Sequence, residues 1–162
     1  MGVFIYGAKL GELLQATQQR DDKFEETLCR KDIEYTFIKK YGNVEMLTEF
    51  KEGYYRLEET SDVSLSLTYT NYDMFLTYVM KLDADDDDEY VPMFFYGVFS
   101  DIMNLGIENI ADYKVAERIL KDFNDYHEKA KIRLDENELF LYEKFIEIFK
   151  YVVDNKGVII VK

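Results

Sequence analysis

The run Asp135–Lys162, "DENELFLYEKFIEIFKYVVDNKGVIIVK", restricts the fold more than any other part of the chain. Leu139, Tyr142, Phe145, Ile146, Phe149, Val152 and Val153 recur at intervals that place them on one face of a long helix. Asp135 is the expected N-cap, and Asn155 with Gly157 the expected stop. The apolar "VIIVK" that follows is too short a strand to stand alone and must pair. Its natural neighbour is "VFIYG" at Val3–Gly7, which also reads as a short buried strand. A long amphipathic helix and a sheet that includes both terminal strands are therefore expected.

The rest of the pattern adds elements of both kinds. In "DVSLSLTYT", Val63, Leu65, Leu67 and Tyr69 alternate with Ser64, Ser66 and Thr68, the period of a strand with one wet face, and "YYRLEE" before it also reads as a strand. Leu10, Leu13, Leu14 and Thr17 share a helical face, so a helix is expected straight after the first strand. A second is expected from Asp21 through Phe24, Leu28 and Cys29. "DIEYTFIKKYGN" fits a helix through Ile33, Phe37 and Tyr41 or a strand through Ile33, Tyr35 and Phe37, and Gly42–Asn43 stops either. Val44–Glu52 is read as a short helix.

Thr70 with Asp73 suggests a capping box for a helix carrying Tyr72, Phe75, Leu76, Val79 and Met80. Pro92 suits the first turn of another, with Phe95, Val98, Phe99, Ile102 and Met103 as its stripe and Gly106 near its end. The run 111–131 places Val115, Ile119, Phe123, Tyr126 and Ala130 on one face, with Glu117–Lys121 and Asp125–Lys129 as helix-supporting pairs. At 162 residues, 48% hydrophobic, with a single proline and no linker-like stretch, the expectation is one α+β domain over 1–162. It is mainly helical, with a small β-sheet that includes the N- and C-terminal strands.

Charge is the strongest global signal. The net charge of −13 disfavours direct binding to nucleic acid or an anionic membrane and favours a basic protein partner. The excess is uneven: residues 61–112 hold eleven acids against Lys81 alone, whereas 113–162 balance ten acids with ten bases. It peaks at "DADDDDEY", where Asp83, Asp85, Asp86, Asp87, Asp88 and Glu89 precede Tyr90. A helix N-terminus near Pro92 would accept one or two of these carboxylates at roughly 0.3–1 kcal/mol each, which does not account for six. Either the run is a solvated loop or it faces a basic partner, with Tyr90 and Tyr96 as aromatic anchors ringed by charge. The second reading is the working expectation.

Motifs for chemistry are sparse. Asp83, Asp85 and Asp87 have the opening spacing of an EF-hand loop, but Asp88 stands where Gly is required and Phe94 where Glu is required. That leaves at most weak calcium binding, and no cofactor or metal is expected. Gly7 and Gly11 lie where a phosphate-binding turn could sit, without a G-x-G-x-x-G or G-K-[ST] pattern. A single His and a single Cys provide no zinc set, and Ser100 lacks a nucleophile elbow. One Cys, no long apolar span and no signal-like N-terminus point to the cytoplasm.

The resulting expectation is a non-enzymatic acidic binding protein that inhibits a basic, nucleic-acid-handling partner such as a toxin, nuclease or defence effector. Immunity proteins, antitoxins and phage anti-defence inhibitors are the matching classes. Two alternatives stay open: a small enzyme with a helical cleft near His127, and an adaptor or structural subunit that uses the C-terminal helix.

Overall fold

The computed structural model describes residues 2–40, 50–82 and 110–162. Among these, β1 is Gly2–Ala16, α1 is Asp22–Arg30, β2 is Tyr35–Ile38, β3 is Gly53–Thr68 and α2 is Tyr69–Lys81. Then come β4 at Ile110–Asp112, α3 at Tyr113–Asp125, α4 at His127–Arg133, α5 at Glu136–Asp154 and β5 at Val158–Val161. The five strands form one antiparallel sheet in the order β2-β3-β1-β5-β4, so both terminal strands belong to it and sit side by side. The α+β class read from the sequence is the one observed.

The expected helix through Leu10, Leu13, Leu14 and Thr17 does not form. Leu10, Leu13 and Leu14 continue β1 and Thr17 follows its end; β1 pairs with β3 from Gly2↔Thr68 to Ala16↔Gly53 through four register shifts. Each shift breaks the two-residue period of a regular strand, so Leu10, Leu13 and Leu14 mimic helical spacing. A partner strand of matching length supplies the hydrogen bonds that a helix would have supplied, and tertiary pairing overrides local propensity. At one shift the buried Ser61 hydroxyl accepts from the Gly7 amide at 2.9 Å and donates to the Val63 carbonyl at 2.6 Å, so the irregularity leaves no orphaned amide there.

Gly7 and Gly53 are required by position. Gly7 is not in a turn: a Cβ there would lie 2.8 Å from both Tyr151 Cδ1 and Val152 Cγ2, so its bare Cα lets α5 lie directly on β1. Gly53 has φ of +148°, and a Cβ there would be 2.2 Å from the Gln15 carbonyl oxygen. Gly11 lies within β1, against Arg56 of β3.

The helices cover one face of the sheet. Phe123 stacks on Tyr142 at 4.4 Å and Phe75 on Phe145 at 5.0 Å, and Phe149 meets Phe123 edge-on at 5.3 Å. The Tyr142 hydroxyl, deep in this core, donates to the Phe123 carbonyl at 2.6 Å and so ties α5 to α3. From the sheet, Val3, Ile5, Leu65, Ile159 and Val161 join the same core. Residues of opposite parity, among them Tyr6, Ala8, Val158 and Ile160, form a second apolar cluster with Ile38, Tyr55 and Ile110.

Element ends follow capping chemistry, with some shifts from expectation. α5 has its full capping box: Asp135 accepts from the Glu138 amide at 2.8 Å and Glu138 accepts from the Asp135 amide at 3.1 Å. Its buried positions are Tyr142, Phe145, Ile148, Phe149 and Val152, while Leu139, Ile146 and Val153 are half-buried against them. α2 is capped by Thr68 rather than Thr70, the Thr68 hydroxyl accepting from the Asn71 amide, so Tyr69 opens the helix instead of closing the strand. The helix expected over 111–131 starts on the buried N-cap Asp112 and divides at Tyr126 into α3 and α4. Lys121 pairs with Asp125 at 2.7 Å, and Lys129 lies over the Tyr126 ring. The ambiguous segment at Tyr35–Ile38 resolves as strand β2, and α1 begins after N-cap Asp21 as expected. The expected helix from Pro92 to Gly106 and most of the one at Val44–Glu52 lie outside the described residues.

Candidate functional site

Asp83, Asp85, Asp86, Asp87, Asp88, Glu89, Tyr90 and Tyr96 all lie outside the described residues, as do the rest of the EF-hand-like stretch and Ser100. What is described is the frame on either side. The chain leaves α2 at Leu82, which is buried and whose carbonyl, with that of Lys81, accepts from Arg133 at 3.5 and 3.3 Å. It re-enters at Ile110, the first residue of β4 on the sheet edge. Residues 83–109 contain eight acids and no base, and 41–49 contain two more acids. The described residues therefore hold 23 of the 33 acids against all 20 bases, a nearly balanced surface.

The described residues also enclose a cleft of about 570 Å³. Tyr35, Thr36 and Phe37 of β2 line it from one end of the strand order, and Ile110 of β4 from the other. Strands at opposite ends of a sheet share a cleft when the sheet curls, and the β1–β3 ladder between them carries four register shifts of the kind that bend a strand pair. The floor holds buried Ile110 and Ile160, and Phe37 and Tyr69 add half-buried rings. Exposed Arg20, Lys39 and Lys162 stand at the edge, so every charged side chain among the described lining is basic.

Arg20 is held in place. Its Nε donates to Glu25 at 2.9 Å, and its guanidinium lies 5.6 Å from the centre of the Phe37 ring. The Tyr54 hydroxyl donates to the same Glu25 oxygen at 2.9 Å and accepts from the Asp21 amide at 2.8 Å, which locks the start of α1 to β3. Phe24, Tyr35 and Phe37 ring the fully buried Tyr54 at 4.8 to 5.7 Å. Burial raises the Tyr35 and Tyr54 hydroxyls above their ordinary pKa, and the adjacent Glu25 raises them further. Both stay protonated donors at neutral pH. The cleft wall is thus a rigid aromatic block tied to one cation through one carboxylate.

His127, at the start of α4, is half-buried with its ring 5.9 Å from Tyr142, and its Nε2 is 3.8 Å from a Glu143 oxygen. That spacing is too long for a hydrogen bond, and His127 does not line this cleft. Cys29 is exposed on α1. Among the described residues no group of three or more His, Cys, Asp or Glu could hold a metal ion, and no helix is long and apolar enough to cross a membrane.

The basic cleft was not legible in the sequence, because Arg20, Lys39 and Lys162 come from three distant segments of an acidic chain. The alternation of Tyr35 and Phe37 was its only local trace. Compared with protein-family models, curated proteins and solved structures, the chain matches none.

Proposed function

We propose that this is a non-enzymatic protein that binds and inhibits a basic, nucleic-acid-handling partner through its acidic segment, in the manner of an immunity protein, an antitoxin or a phage anti-defence inhibitor. The observation that carries the reading is the partition of charge. Eight acids with no base fall in residues 83–109, while the described surface is close to balance. A charge needed only for solubility would be spread over the surface. A charge needed for recognition is concentrated, since it then speeds encounter and orients a partner of opposite sign. Asp83 and Asp85–Glu89 supply the field, and Tyr90 and Tyr96 the aromatic anchors.

The test uses the full chain and a variant in which Asp83, Asp85, Asp86, Asp87 and Asp88 become Asn and Glu89 becomes Gln, both immobilised and exposed to host lysate. The expected result is a basic protein retained by the native chain, released by salt and lost on the variant. Identical capture by the two chains contradicts the proposal.

A further inference from the structure

We propose that the cleft between β2 and the β4–β5 edge binds a small ligand of the nucleotide class, a planar ring joined to a phosphate. Three features define the ligand. Ile110 and Ile160 make part of the floor apolar, which suits a ligand that carries an apolar surface. Tyr35 and Tyr69 add half-buried aromatic surface to the lining, which favours a flat aromatic body over an aliphatic one, while the Phe37 ring already packs against Tyr54 and Arg20. Arg20, Lys39 and Lys162 bring positive charge to the edge, which favours an anionic group, and no acid stands among the described lining.

Size and shape narrow it further. A volume of about 570 Å³ falls within the range of small-molecule sites and is concave, unlike the broad flat patch a protein partner needs. Inorganic phosphate would leave the apolar floor and the rings unused. A nucleic-acid chain would have to approach a protein of net charge −13, whereas a single nucleotide meets only the local cations. Arg20 is already oriented for a phosphate. Glu25 engages its Nε and Phe37 underlies its plane, so the guanidinium loses little freedom when the anion arrives.

The proposal is independent of the acidic segment, so the two can fail separately. The full chain is titrated by calorimetry with AMP, UMP, adenosine and inorganic phosphate at fixed ionic strength, with NMR shifts mapped in parallel. Saturable binding of AMP or UMP is expected, with shifts at Tyr35, Phe37 and Ile160 and at least about tenfold weaker binding of both adenosine and inorganic phosphate. Arg20→Gln with Lys39→Gln should weaken nucleotide binding at least about tenfold and leave adenosine unchanged. Lys162→Gln, away from the Glu25 network, should weaken it in the same direction and guards against misfolding of the first variant. The neutralised acidic-segment variant should bind nucleotide as the native chain does. The proposal is overturned if neither nucleotide saturates at millimolar concentration, if phosphate alone binds as well, which would mean an adventitious ion only, or if folded basic-residue variants bind like the native chain.

Discussion

At Gly7 the absence of a side chain sets the distance between sheet and helix. A methyl group there meets Tyr151 and Val152 at 2.8 Å, and the fully buried Val152 cannot retreat without disturbing the core beneath α5. Gly7→Ala should therefore destabilise the fold by about 1–3 kcal/mol, read by chemical denaturation, as overpacked sites do. The same contact region holds Tyr151, whose hydroxyl donates to Glu59 at 3.0 Å. Burial first, then the hydrogen bond to Glu59 and its charge, push the Tyr151 hydroxyl up to about 12. An unfolded tyrosine ionises near about 10, so the native state holds this proton more tightly than the unfolded one. The stability it contributes is present in full below about pH 10 and is lost as pH rises through about 12. The stability difference between the native chain and Tyr151→Phe should shrink across that window, and a difference that stays constant would show that the Glu59 contact contributes nothing.

Among the elements, α3 starts on a buried cap. Asp112 is fully buried and its carboxylate accepts from the Lys114 and Val115 amides at 3.0 and 3.1 Å, closing the turn from β4 into the helix. Asp112→Ala should cost about 1–2 kcal/mol in a denaturant titration, and Asp112→Asn less, because the amide oxygen can still accept. The sequence pattern places a helix here without marking Asp112 as its cap. Legibility at this scale follows how local the cause is. α5 is legible because its period, its Asp135 cap and its end at Asn155 lie within one contiguous run, although the left-handed residue that follows is Lys156 and not Gly157. β1 beyond Gly7 is not, because Leu10, Leu13 and Leu14 are set by bulges against a strand some fifty residues away. The Thr68 cap illustrates the smaller error: Thr68 and Thr70 are chemically equivalent, and only the pairing of Gly2 with Thr68 decides where the strand stops. The cleft is the extreme case, since Arg20, Lys39 and Lys162 meet only after the whole sheet has curled.

For the molecule as a whole, the central feature is a division of charge. The curled sheet and its helices are nearly neutral and carry a basic cleft, while ten acids lie in two segments outside the described residues. Long-range attraction acts on the rate of encounter more than on the lifetime of a complex, and salt screens it over about 10 Å at 0.1 M. The proposed attraction is therefore tested most directly by the association rate of any basic protein that the native chain retains, measured for the native chain and the Asp83–Glu89 neutralised variant between about 0.05 and 0.5 M salt. The native chain should associate at least about tenfold faster at low salt and lose that advantage as salt rises, with the variant slow and nearly salt-independent throughout. Equal rates and equal salt slopes for the two chains would contradict it.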